Sequence, residues 1–124
     1  MTSLELGREA ARLLDQKKAR DIRMLEIKNI STLGDYFVVA SGTSTTQVKA
    51  MADEVEFQLK EKGIYPKRVE GYQSAAWIVL DYYDVIIHVF CEETRQFYSL
   101  ERLWTDAPQV DLSDILDPEQ EDDK

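Results

Sequence analysis

The stretch Trp77 to Phe90 (WIVLDYYDVIIHVF) constrains the fold of this chain more than any other segment. Two runs rich in β-branched and aromatic residues flank Asp81-Tyr82-Tyr83-Asp84, a break long enough only for a reversal, and so predict a β-hairpin. With Tyr82 and Tyr83 as the turn, Asp81 faces Asp84, Leu80 faces Val85, Val79 faces Ile86, Ile78 faces Ile87 and Trp77 faces His88. Side chains alternate across a strand, so the two faces differ in kind. Ile78, Leu80, Val85, Ile87 and Val89 form an aliphatic face suited to lying beneath helices. Trp77, Val79, Ile86, His88 and Phe90 form the other, rimmed by Asp81 and Asp84.

The flanking segments supply what packs on this hairpin. Leu6, Ala10, Leu13 and Leu14 share one helical stripe, which predicts an amphipathic helix capped by Ser3 and ending near Ala19. Asp21 to Ile27 reads as a first strand, and Asp35 to Ala40 (DYFVVA) as a more deeply buried second, bracketed by Gly34 and Gly42. Ser44-Thr45-Thr46-Gln47 has the spacing of a capping box, with the serine accepting from the Gln47 amide while the glutamine reaches back. Val48, Met51, Ala52, Val55 and Leu59 continue that helix, and Gly63 stands where a left-handed residue stops it. Lys67 to Glu70, after Pro66, is polar and short enough for an edge strand. Phe97, Leu100 and Trp104, with Leu103 beside them, predict a last helix over Glu93 to Trp104, before Pro108. The order α-β-β-α-β-β-β-α predicts a single α/β domain of α+β character: a mixed five-stranded sheet with helices mainly on one face.

Length and charge bound the function classes. At 124 residues and 44% hydrophobic, the chain can bury one core. No run of about 18 apolar residues could span a bilayer, and Met1 to Arg12 mixes charges with leucines, so the expected location is cytoplasmic, away from membranes. The net charge is −9, which argues against nucleic acid as a direct ligand, because phosphate binding needs clustered Lys and Arg. Residues 111–124 hold seven acids and one lysine, so the rest carries only −3. That composition predicts a folded unit over 1–110 followed by an acidic, disordered tail over 111–124.

Enzyme signatures are weak. The one histidine, His88, lies mid-strand, and Cys91, three residues on, projects toward the opposite face, so they do not form a nucleophilic pair. One His and one Cys make no metal site with the remaining carboxylates, and nothing in the sequence calls for a cofactor. Ser41-Gly42-Thr43-Ser44 joins a strand to a helix, where amides can hold a phosphate; with Asp81 and Asp84 it forms the rival reading, a nucleotide-binding or nucleotidyltransferase-like enzyme. Neither a Walker lysine nor a G-x-G-x-x-G pattern accompanies it. The Trp77 face suits a protein partner with a basic edge, since aromatic anchors supply area and rim carboxylates supply selectivity. Core burial of this face, or its pairing in a homodimer, stands as the alternative.

Trp77, Leu80-Asp81-Tyr82, Asp84-Val85 and His88-Val89-Phe90, followed by Arg95, Tyr98, Leu100-Glu101 and Leu103-Trp104, resemble the Iojap family of ribosomal silencing factors. Asp35-Tyr36-Phe37-Val38-Val39 and Ser41-Gly42-Thr43-Ser44 look like that family's pattern too, so the likeness covers roughly residues 3 to 107. It implies a fold similar to nucleotidyltransferases without their catalytic apparatus, and no enzyme activity. It also implies binding to the large ribosomal subunit at its protein fourteen, steric obstruction of subunit joining, and lower translation when nutrients are scarce. The expected partner-binding residues are Trp77, Val79, Asp81, Tyr82, Asp84, Ile86 and His88, with little direct contact to nucleic acid. Tyr83 stands where the family commonly has glycine, and a bulky residue disfavours positive φ in the turn.

Overall fold

The computed structural model describes residues 1–98 and 105–116. In chain order the elements are α1 (Ser3–Gln16), β1 (Arg20–Glu26), β2 (Tyr36–Gly42), α2 (Thr45–Glu61), β3 (Arg68–Glu70), β4 (Trp77–Asp81), β5 (Val85–Cys91) and α3 (Glu92–Tyr98). The strands form one mixed sheet in the order β1-β2-β5-β4-β3, in which only β2 and β5 run parallel. The expected five-stranded α/β domain is therefore the observed one. Leu6, Ala10, Leu13 and Leu14 of α1 and Val48, Met51, Ala52, Val55 and Leu59 of α2 pack on Val38, Ala40, Ile78, Leu80, Val85, Ile87 and Val89 of the sheet, forming the main core. No helix among the described residues is long and apolar enough to cross a membrane.

Local chemistry sets the boundaries. Thr2, not Ser3, caps α1: its side chain accepts from the Glu5 amide at 3.1 Å while the Glu5 carboxylate accepts from the Thr2 amide at 2.8 Å. Ser3 instead donates to Asp35 at 2.9 Å, tying the helix to the start of β2. Ser44 caps α2 as expected, but Gln47 reaches one residue further back, accepting from the Thr43 amide at 2.6 Å. The Gln47 amide group then donates to the carbonyls of Lys17 and Lys18, so one side chain joins the two helices' connections. Gly63, at φ +78, follows α2 in the left-handed conformation the sequence predicts. The last helix begins at Glu92, and the expected stretch beyond Tyr98, with Leu100, Leu103 and Trp104, lies outside the described residues.

The boundary drawn at residue 110 is corrected. The Glu26 amide donates to the Pro108 carbonyl and the Val110 amide to the Met24 carbonyl, both at 2.8 Å, so the chain runs alongside the outer edge of β1. Leu112 is then buried in the main core, with Ile115 and Leu116 packed against it. Arg8 of α1 holds this strap through the Asp111 carbonyl and the Asp114 carboxylate. Residues 111–116 thus belong to the folded unit: three apolar side chains and an arginine partner outweigh the local acidity that suggested a tail. The remainder of that segment, 117–124, lies outside the described residues.

Candidate functional site

The hairpin forms, but its register differs from the expected one. Trp77 pairs with Phe90, Ile78 with Val89, Val79 with His88, Leu80 with Ile87 and Asp81 with Ile86. Tyr82 donates to the Val85 carbonyl, so the reversal is centred on Tyr83 and Asp84, one residue later than predicted. Moving a turn by one residue slides the pairing by two, which leaves every side chain on its predicted face. The cause lies in two anchors. Asp81 accepts from the Tyr83 amide at 2.9 Å, an Asx turn that places Tyr83 at the start of the reversal. The Asp84 carbonyl accepts from the amides of Asp35 and Tyr36, fixing the turn to β2. Tyr83 accommodates this with φ +70, the region that glycine takes without cost.

The face away from α1 and α2 carries a second, smaller core of Leu25, Ile27, Phe37, Val39, Phe90 and Ala107. Trp77 and Ile86 pack at its margin and remain half-buried, as does Val79 next to them. Trp77 lies across Phe90, with ring centroids 4.9 Å apart and planes 24° from parallel. Its indole N–H donates to His88 Nδ1 at 3.1 Å, a diagonal pair across the two strands. Gly71 makes the approach possible: at φ +80 it sits so close to β4 that a Cβ there would come within 2.1 Å of the Trp77 carbonyl oxygen. Glycine is the residue that fits.

His88 is itself 6% exposed and set edge-on to Phe37, with centroids 4.6 Å apart. Because the indole can only donate, Nδ1 must accept, which places the neutral ring's proton on Nε2. That nitrogen is buried with no hydrogen-bond partner among the described residues. Leaving such a donor unsatisfied costs about 1–3 kcal/mol. Burial pushes the His88 pKa down to about 4, so the ring is neutral at physiological pH.

The seven candidates therefore divide. Trp77, Val79 and Ile86 lie together on one half-exposed patch, and Asp84 is exposed in the turn. Asp81 shares their face but is engaged by the Tyr83 amide and lies 3.7 Å from Arg68. Tyr82 is corrected: it is buried on the helix-covered side, its hydroxyl has no hydrogen-bond partner among the described residues, and desolvation with Glu56 nearby raises its pKa. His88 is likewise removed as a surface contact.

The rival phosphate turn is also reassigned. Ser41 and Gly42 belong to β2, and Ser41 is buried, accepting from Arg95 at 2.8 Å. Arg95 also donates to the Asp21 carbonyl at 2.7 Å, where Asp21 adopts φ +51 and the β1 pairing is irregular. A buried arginine reaching from α3 to a strand carbonyl has no local sequence signal. Among the described residues, no group of three or more His, Cys, Asp and Glu could hold a metal ion.

The family model for ribosomal silencing factors acting during starvation matches residues 1–124. This chain belongs to that family. The ribosomal silencing factor of Halalkalibacterium halodurans is 41% identical over 116 residues, 94% of this chain and 99% of that protein. The Bacillus subtilis silencing factor is 45% identical over 103 residues, 83% of this chain and 87% of the relative. A mouse protein named for mitochondrial assembly of the ribosomal large subunit is 36% identical over 75% of this chain and 42% of its own length. A crystal structure from Chromobacterium violaceum superposes with a TM-score of 0.82 at 35% identity, covering 85% of this chain and 88% of that one. The silencing-factor family thus shares this fold, and translation regulation on the ribosome is the function class of its named members.

Proposed function

We propose that this silencing-factor family member docks on the large ribosomal subunit through the Trp77, Val79 and Ile86 patch and blocks joining of the small subunit. The carrying observation is a half-buried tryptophan, braced by Phe90 and His88, on the sheet face that α1 and α2 do not cover. An aromatic anchor with aliphatic neighbours and an exposed carboxylate, Asp84, suits a protein surface that presents an apolar pocket beside basic side chains. Ribosomal protein fourteen is the partner, as the family resemblance implies, and occlusion in the cytoplasm, not catalysis, is the mechanism. Trp77→Ala should weaken binding to purified large subunits by about 2 kcal/mol or more, measured by sedimentation and followed by a subunit-joining assay. Unchanged affinity in a folded variant would remove the patch from this role.

The nucleotide reading has a cheap test. Two donors of the Ser41 to Ser44 region and its helix are already used, the Thr43 amide by Gln47 and the Gln47 amide by Ser44, while Ser41 serves Arg95. Calorimetry with ATP and magnesium should register no binding heat. Micromolar affinity would restore the enzyme class.

A further inference from the structure

His88 is an unfavourable residue for the place it occupies. Its neighbours across the strands are Val39 and Val79, its ring meets the edge of Phe37, and its Nε2 proton is buried without a partner. An apolar side chain of similar size would fill the same space without burying an unsatisfied ring nitrogen. What an apolar residue could not do is accept the Trp77 indole N–H, the single hydrogen bond the His88 side chain makes among the described residues. Phe90 sets the plane of the indole from one side, and Nδ1 sets which edge of it turns inward. A group that costs the fold stability while orienting a half-exposed aromatic ring points to a role that folding alone does not explain.

We infer that His88 is a positioning residue of the docking face: through Nδ1 it holds the Trp77 indole in the pose that a protein partner meets, without touching that partner itself. The inference rests on the docking reading above and deepens it. Binding then pays less ordering cost, because the anchor is already fixed in the free protein. A histidine used this way should behave unlike a core residue, since removing it relieves the fold and harms docking at the same time.

The test uses the full chain with four variants and purified large ribosomal subunits. His88→Leu should melt at the wild-type temperature or above it, yet bind large subunits at least tenfold more weakly. His88→Asn places an amide oxygen near the position of Nδ1 and should bind within about threefold of wild type. In the free protein, the Trp77 indole N–H proton resonance, assigned by its loss in Trp77→Phe, should move upfield in His88→Leu and stay near its wild-type position in His88→Asn. An unmoved indole resonance in His88→Leu overturns the inference whatever the ribosome does. Full affinity of His88→Leu beside weakened Trp77→Ala overturns it while sparing the docking reading, whereas full affinity of Trp77→Ala overturns both. A His88→Leu variant that melts well below wild type would make the histidine an ordinary core residue and also overturn it.

Discussion

Acidification from pH 7 to pH 4 should cost the folded chain about 3 kcal/mol through His88 alone, because its pKa falls from 6.5 to about 4 on burial. An imidazole with a depressed folded-state pKa contributes its full stability above pH 6.5, and that contribution is lost as the pH falls toward 4, where the unfolded chain takes up a proton that the folded chain refuses. Among the described residues, the side chains around the ring are Phe37 and Val39 from β2, Trp77 and Val79 from β4, and Ile86 and Phe90 from β5, none of them charged. Desolvation therefore acts unopposed, and it is the one cause of the shift. Urea unfolding at several pH values, compared between wild type and His88→Asn, isolates the effect from the carboxylates common to both. Parallel stability curves for the two proteins would refute the burial argument.

Leu112→Ala should lower unfolding stability by about 3 kcal/mol. Leu112 is 6% exposed and sits in the main core with α1 and the sheet, so truncating it opens a cavity beneath the strap. The strap is held at several points, by the β1 backbone, by Ile115 and Leu116, and by Arg8, and the site can collapse only partly. The midpoint of chemical denaturation is the readout. A loss below about 1 kcal/mol would mean that 111–116 contributes no more than a solvated tail.

Patterning made the elements legible where one face of each is buried. The α1 and α2 stripes and the two unlike hairpin faces follow from periods of 3.6 and 2, whereas β2 reads as a continuous apolar run and β3 as a short polar edge, and each is present. The hairpin register was not legible, because Asp81-Tyr82-Tyr83-Asp84 offers two ways to turn and the choice is made by distant groups, the amides of Asp35 and Tyr36 on the Asp84 carbonyl. Tyr82 was misplaced for the same reason, since moving the turn by one residue makes it the last paired position before the reversal. The acidity of 111–124 concealed Leu112, Ile115 and Leu116, whose value depends on an arginine more than a hundred residues away in α1. The Trp77 patch was found by residue type, whereas the roles of His88, Gly71 and Arg95 needed distances.

The strap has one more effect. By running along β1 through Pro108 to Val110, it takes up the Met24 carbonyl and the Glu26 amide at the end of the longer outer strand of the sheet. The opposite margin, β3, is three residues long and flanks its one valine with Arg68 and Glu70. Neither border offers a neighbouring molecule a long apolar template to extend, which disfavours strand-by-strand polymerisation.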